Sequence, residues 1–543
     1  MEHATSSPSH AQLHLRMELF RPPLAYPTYP YDEMLTHAAR QFPEHTALLF
    51  DEVNLTYREL DALVTILAAS FQALGIQKGQ RVCLLMANCP EFVISWFAII
   101  RIGAVACPMN PSYREREVLY QLSNSEAVAI IVQQRLLPLV EAARAETQTL
   151  QHVIIVDHTA QTNPLDTYAF SELLQADTLP SLTRREWAWD DLIALPYSSG
   201  TTGMPKGVML SQQNLVYNAC QSLATAHITS LDRMLVFVPL YHIYGIMLIG
   251  TATMSGATMV LMERFEPTRC LDLIQEQRIT LLYAVPQVLA VISDYPRLRE
   301  YDLHSIRYTQ CGAAPVPPPL ARRFEERTGV TVMTSYGLTE ASPGTHSNPV
   351  YDKRLIKVET IGLPIHDTRQ KIVDIETGTV ELGIGEEGEL LVQGPQVMQG
   401  YWKAPEATAE VLRDGWLHTG DIGWQDAQGY VTITDRKKEL IKYKGFSVAP
   451  AQVEALFLEH PAVADVAVIA QPDDEAGEIP KAFVVLRAGH ENLNLADLLE
   501  WVNTQIATYK NVRQIEVIDT IPRNPSGKIL RRVLKEREQQ RHA

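Results

Sequence analysis

The chain has 543 residues, enough for more than one domain. With 46% hydrophobic and 20% charged residues it can bury a large core, which excludes general disorder. Lys plus Arg number 47 against 63 Asp plus Glu, a formal net charge of -16. That balance argues against a nucleic-acid or anionic-lipid binder, which needs a basic surface, and leaves room only for a small basic pocket around a phosphate-bearing ligand. No CxxC occurs among Cys83, Cys89, Cys107, Cys220, Cys270 and Cys311. Neither a disulfide framework nor a cysteine zinc site is therefore expected, and a reducing, cytoplasmic compartment fits. The N-terminal stretch has no apolar run of signal-peptide length.

In chain order, VCLLMA at 82–87, AVAIIV at 127–132, HVIIV at 152–156 and MLVFVPL at 234–240 read as strands. Helical patterns lie between them, such as REREVLYQLSNS, where Val118, Leu119 and Leu122 repeat at helical spacing. The alternation predicts an α/β fold of layered, mainly parallel sheets. No charged residue occurs from Leu235 to Met262, but Pro239, His242, Gly245, Gly250 and Gly256 interrupt the run. A buried α/β segment is expected there, not an integral membrane span. After about Thr379, GEEGELLVQG and GYVTITD read as short strands joined by glycine turns, a β-rich subregion. A boundary is expected at Asp435–Lys438, separating residues 1–434 from residues 439–543. The C-terminal unit reads as helix VEALFLEH, strands DVAVIA and KAFVVL, helix LADLLEWVNTQIATY, strand QIEVI and helix KILRRVLKEREQQ. That is a small α+β domain of its own.

The sharpest local signal is YSSGTTGMPKGV, from Tyr197 to Val208, between strand-like LIALP and helical QNLVYNACQSLATA. Small and hydroxylated residues let backbone N–H groups and hydroxyls crowd around phosphate oxygens, and Lys206 adds a point charge. It is not the GxxxxGK[ST] loop, because Gly200 and Gly203 are three apart and no Ser or Thr follows Lys206. By itself an ordinary glycine-rich turn explains it as well. GIGEEG, Gly383 to Gly388, fits GxGxxG literally, but Glu386 and Glu387 would meet the pyrophosphate and strand-like ELLVQG follows. A turn is expected there. No HExxH and no GxSxG is present.

YSSGTTGMPKGV resembles the phosphate-loop signature of the adenylate-forming superfamily: acyl-CoA synthetases, 4-coumarate–CoA ligases, firefly luciferases and peptide-synthetase adenylation domains. Further matches follow in that family's order: PLYHIYG at 239–245, GAAP at 312–315, YGLTE at 336–340, HTGDIG at 418–423, DRKKELIKYKGFSVAP at 435–450 and PRNPSGKI at 522–529. The resemblance covers nearly the whole chain from about Leu35. It implies a large N-terminal domain binding AMP and the acyl group, a hinge at 435–438 and a mobile C-terminal domain. It also implies that ATP, Mg2+ and CoA are used with a small-molecule carboxylic acid, and it allows a homodimer.

Residue by residue, the resemblance implies that Ser198, Ser199, Gly200, Thr201, Thr202 and Lys206 surround the ATP phosphates. Thr339 would contact the α-phosphate and Glu340 would bind magnesium, for which one hard oxygen with phosphates and waters is suitable. Tyr336 would lie against adenine near Ala313, Thr334, Ser335 and Gly337, although Thr334–Ser335 stands where family members often carry Gln–Gly. Asp421 would bind the ribose hydroxyls, assisted by Arg436. His242 and Tyr244 would flank the acyl carboxylate, and Gly245 and Gly312 would line the acyl site, with Gly245 leaving room at a tunnel wall. Tyr244–Thr251, Val285–Val288, Cys311–Ala313 and Tyr336–His346 would wall that site. Arg264, Lys444 and Gly445 would meet CoA, Lys438 would be the hinge, and Lys442 would belong to the thioester step. Lys528 would bridge carboxylate and α-phosphate, and the following RRVLKERE reads as an exposed basic helix face.

The expected activity is an ATP-dependent acyl-CoA synthetase, with a medium- or long-chain fatty acid favoured because EASPGTHSNP looks more like fatty-acid ligases. A 4-coumarate-type aryl acid–CoA ligase remains the main alternative, since HIYG and DRKKELIKYKGFSVAP are shared with it. A ligase charging a carrier protein, a luciferase-like oxygenase and a catalytically silent nucleotide-binding regulator are the others.

Overall fold

The computed structural model describes residues 21–157, 167–175, 182–183, 185–198, 205–444, 446–473, 476–490, 492–523 and 527–542. The protein is mixed α/β, with four sheets among the described residues. In the first, five strands run parallel in the order Tyr308–Cys311, Leu281–Ala284, Arg233–Val236, Thr258–Leu261, Thr46–Phe50, and Val332–Gly337 joins parallel beside Tyr308–Cys311. The second contains the parallel strands Arg81–Leu85, Val105–Met109, Ala127–Gln133, His152–Val156 and Thr167–Ala169.

Alternation along these strands explains the layering. Val82 and Leu84 enter a core shared by both sheets, while Cys83 and Leu85 enter a second core on the outer face. Met234 and Val236 likewise join the shared core, and Leu235 joins a third core under Pro267–Glu276, Pro286–Ser293 and Pro318–Thr328. Helices Pro90–Arg101 and Ile243–Ser255 supply the shared core and are buried almost all round. A helix apolar on every face has to be covered on every face, and packing between sheets achieves that. The uncharged run at 235–262 is thus two short strands and a 13-residue helix. Among the described residues no helix is long and apolar enough to cross a membrane.

The expected strand over 234–240 ends at Val236. Asn88, 3% exposed, replaces the sheet partner beyond that point. Its amide donates to Val238 O and Met262 O at 3.1 Å, and its Oδ1 accepts from Leu240 N at 2.7 Å. The β-rich subregion is an antiparallel sheet of Arg369–Val373, Gly388–Gln393, Trp416–Gln425, Leu412–Arg413 and Val431–Arg436. GIGEEG forms the turn entering strand Gly388–Gln393.

From Ile441 the chain builds a fourth sheet, with Val463–Asp473 and Gly477–Leu486 as its long hairpin. Its two hydrophobic clusters draw all their buried members from residues 441–534. The expected helix over LADLLEWVNTQIATY stops at Asn503, whose side chain clamps Val512 through bonds of 3.0 and 2.8 Å. The reading of RRVLKERE as an exposed basic face is corrected. Arg531 is paired to Glu439 and Glu454, Glu538 is paired to Lys481, and Leu534 is buried against Ala467, Ile469, Phe483, Ile518 and Ile521.

Leu534→Ala is expected to cost about 2–5 kcal/mol by emptying a buried site. The small unit should show an earlier thermal transition and faster proteolysis of Arg531–His542, with the large unit unaffected.

Candidate functional site

In open α/β sheets the loops leaving the carboxyl ends of parallel strands form the ligand crevice. Here those loops carry most of the expected residues. His242 follows Arg233–Val236, Gly312 and Ala313 follow Tyr308–Cys311, and Thr339 and Glu340 follow Val332–Gly337. Gly337 sits where an added Cβ would meet Pro343 O at 2.3 Å, so only glycine lets the strand end pass that carbonyl.

Tyr336 and Asp421 are joined directly. The Tyr336 hydroxyl donates to the Asp421 carboxylate. Arg436 stands opposite Asp421 in the antiparallel register, and its Nε lies 2.7 Å from Asp421 Oδ1. Burial and then the Asp421 charge hold the Tyr336 phenol well above its usual value, and Asp421 raises Arg436. A carboxylate has about four acceptor positions, so Asp421 can still receive hydroxyls from a ligand. Lys528 is half-buried in the same field: burial, then Arg436, lower its pKa, while Glu439 and Asp421 oppose them. The loop bearing it touches the large unit where Gln287 Nε2 donates to Gly527 O at 3.2 Å.

A second group forms around the last residues of the YSSGTTGMPKGV segment. Ser198 pairs antiparallel with Lys206, and Ser199, Gly200, Thr201 and Thr202 lie outside the described residues. Lys206 Nζ is 5.1 Å from the centre of the Tyr401 ring, and the Tyr401 hydroxyl donates to Glu340 Oε1 at 2.8 Å. Tyr401 is a site residue that the motif reading missed. It is 61 positions beyond Glu340, and only the pairing of Gly400–Tyr401 with Lys206–Ser211 brings it there. Among the described residues no cluster of three or more His, Cys, Asp or Glu could cage a metal. The lone Glu340 carboxylate fits magnesium all the same, which commonly takes one or two protein carboxylates and fills its shell with phosphates and water.

Other expected residues take different parts. His242 caps helix Ile243–Ser255, its Nδ1 accepting from Tyr244 N at 3.3 Å, and burial lowers its pKa to about 4. It is neutral at pH 7, with the proton on Nε2. Tyr244 turns into the core, donating to Gln310 O at 3.3 Å with its ring edge against Tyr283. Thr334 does not present its side chain to an adenine site: its hydroxyl donates to Thr360 O at 2.6 Å and accepts from Asn348 at 2.6 Å. Ser335 faces Gly312, where an added Cβ would lie 3.1 Å from Ser335 Oγ. Ala313 is exposed with φ at +67°.

The reading of Gly245 as open tunnel wall is also corrected. An added Cβ would meet Pro239 O at 2.5 Å and Leu240 Cα at 2.6 Å, so this glycine admits the backbone of the preceding loop, not a ligand chain. Arg264, Lys438, Lys442 and Lys444 are exposed, outside the buried cluster, and Gly445 lies outside the described residues.

Comparison with known proteins finds the following similarities. A family model described as AMP-binding enzyme matches residues 35–402, and one described as AMP-binding enzyme C-terminal domain matches 452–528. The chain is 34% identical to a long-chain-fatty-acid–CoA ligase of Bacillus subtilis, over 96% of each chain. It is 35% identical to 4-coumarate–CoA ligase 1 of Narcissus pseudonarcissus, over 92% of this chain and 91% of the other. Among solved structures it is similar to ATP-bound MatB from Rhodopseudomonas palustris, with TM-score 0.85 and 28% identity over 95% of this chain and 100% of that one.

Gly245→Ala is expected to lower stability by about 1–3 kcal/mol through overpacking, seen as a lower melting temperature. Tyr401→Phe keeps the ring under Lys206 and removes only the hydroxyl donated to Glu340. Calorimetric titration should show ATP binding in the presence of magnesium weakened by up to about 1.5–3 kcal/mol.

Proposed function

From the premise that this chain belongs to the AMP-binding enzyme family and is an AMP-forming acid–CoA ligase, we propose that it activates a medium- or long-chain fatty acid. The observation that carries the site assignment is the convergence of Lys528, from the small unit, on the Asp421–Arg436–Tyr336 cluster of the large one.

A carboxylate cannot accept a thiol directly, because its oxygen is a poor leaving group. In the first step the carboxylate oxygen attacks the α-phosphorus of ATP and pyrophosphate departs. We assign the segment 198–206 to the ATP phosphates and Thr339 to the α-phosphate. Glu340, oriented by Tyr401, is the residue that would hold magnesium, which when bound supplies charge neutralisation over the phosphate oxygens. Asp421 accepts the ribose hydroxyls while Arg436 keeps its charge compensated. Neutral His242 offers Nε2–H beside the acyl carboxylate without adding a cation at a helix N-terminus, where a cation is disfavoured. Lys528 stabilises charge developing between carboxylate and α-phosphate. In the second step the sulfur of CoA, giving up its proton to solvent, attacks the acyl carbon, and the acyl carbon–oxygen bond breaks as AMP departs. We assign Arg264, Lys444 and Gly445 to CoA, and residues 435–438 to a hinge that turns the small unit between steps. The exposure of Lys438 in the turn after strand Val431–Arg436 supports that reading.

The fatty-acid reading is supported by the Bacillus subtilis ligase, which matches over 96% of both chains. An aryl acid is the second reading, favoured by the 35% identity to a 4-coumarate–CoA ligase. A cytoplasmic setting is supported by six cysteines, all free thiols.

Pyrophosphate release over a panel of fatty and aryl acids, with and without CoA, tests the assignment. Release greatest with C8–C18 acids supports the fatty-acid reading, and release greatest with arylpropenoic acids replaces it. Lys528→Ala should slow acid-dependent pyrophosphate release by about 10²–10³, while supplied acyl-AMP and CoA still give thioester.

A further inference from the structure

Asp435 opens the assigned hinge but is given no contact with a substrate above, yet it is 5% exposed and lies where the chain leaves the large unit. It belongs to strand Val431–Arg436 and pairs in register with Ile422, so its backbone is built into the third sheet. Its side chain reaches the other way. Oδ2 accepts from Ala451 N at 3.1 Å, in the first turn of helix Pro450–Glu459 of the small unit. The residue preceding that helix is Ala449, which has no side chain able to cap it. An uncapped helix start leaves backbone N–H groups without partners, and a carboxyl oxygen, whose carbonyl accepts with or without the acid proton, remedies this. The helix therefore takes its cap from the other unit, across the crossing at 436–441.

The consequence is specific to orientation. A cap within one unit would survive any movement of that unit. This one exists only while the small unit sits as seen here, with Lys528 in the field of Asp421 and Arg436. We propose that Asp435 is a positioning residue that latches the small unit in the adenylate-forming orientation by capping helix Pro450–Glu459 across the chain crossing. The inference rests on the two-step reading given above.

The surroundings make the latch sensitive to protons. Glu454 and Arg531 face Asp435 from the two helices packed on it. Glu439 lies in the turn, Arg436 and Asp421 on its own and the neighbouring strand, and Lys528 beyond them. Past Ile422 stands Glu389 with Lys437 and His418. Burial outweighs the backbone donors and Arg531 and raises Asp435 to about 7. Released into water, it would return toward the ordinary carboxylate value. The docked orientation therefore holds the extra proton between those two values. Docking is favoured as pH falls and weakened as pH rises through about 7.

The test compares wild type, Asp435→Ala and Asp435→Asn. Asn keeps an oxygen that can accept the Ala451 N–H and carries no titrating proton. Cleavage of the 436–441 crossing by trypsin reports orientation without needing activity. Pyrophosphate release and thioester formation from supplied acyl-AMP, measured separately, report the two steps. Asp435→Ala is expected to speed cleavage and to lower the ratio of first-step to second-step rate by about 5- to 30-fold, the size of a lost cap. Asp435→Asn should return the ratio to within about twofold of wild type at pH 6. The wild-type ratio should fall between pH 6 and 8, and the Asn ratio should stay level. Equal cleavage in all three proteins, or loss of both steps alike in Asp435→Ala, overturns the latch. Wild type that releases no pyrophosphate with any acid overturns the functional reading instead, and the cleavage rates still decide the latch.

Discussion

Asp421 is almost wholly buried; the Arg436 guanidinium reaches both of its oxygens, and the Tyr336 hydroxyl donates to Oδ2. Three parts of the molecule meet at that carboxylate. Tyr336 ends a strand of the first sheet, Asp421 lies in the antiparallel third sheet, and Arg436 is the last residue before the chain crosses to the small unit. Buried ion pairs are weak evidence for stability, because desolvation offsets much of the attraction. Removing one partner is strongly destabilising, since it strands the other charge. The cluster thus specifies geometry more than it adds stability. It fixes one acidic group against one ring and places Lys528 beside both.

The layers beneath explain why the loops can hold such residues. Two sheets with fully buried helices between them leave little freedom at the strand ends. Where a strand stops early, a side chain takes over its hydrogen bonds, as Asn88 does for Val238 and Leu240. The His242 loop therefore starts from a rigid base. The close fit at Gly245 has the same origin, since the turn after Pro239 folds back onto the first turn of its helix. Glycine at that position reads equally well as space for a ligand or space for backbone, and only the packed loop distinguishes the two.

Arg531 and Asp435 show how a small unit can be both firmly built and differently placed. Arg531 pairs with Glu439 and Glu454 and donates to Val468 O, all within residues 439–531, so the loop carrying Lys528 is braced from inside its own unit. Asp435 and the Gln287–Gly527 bond instead join the two units. Contacts of the first kind travel with the unit if it turns. Contacts of the second kind have to break.

Much of the fold is legible in the sequence. Alternation of apolar runs predicts the parallel layers, because strand and helix periods are local properties. The ordered motifs from YSSGTTGMPKGV to PRNPSGKI point to the site residues, because phosphate cradles and turns are built from neighbours in sequence. GIGEEG could be read as a turn from its own glutamates. What sequence left open are the relations between distant segments. Tyr401 meets Glu340 and Lys206 only through strand pairing, and Thr334 is withdrawn from the site by Asn348 and Thr360. Arg531 turns from a solvated charge into a buried brace because Glu439 and Glu454 come to it from two other segments. Composition and spacing determine what each segment can do. Which partner it does it with is decided by packing, because a side chain's burial and its hydrogen bonds belong to the tertiary neighbourhood and not to the residue.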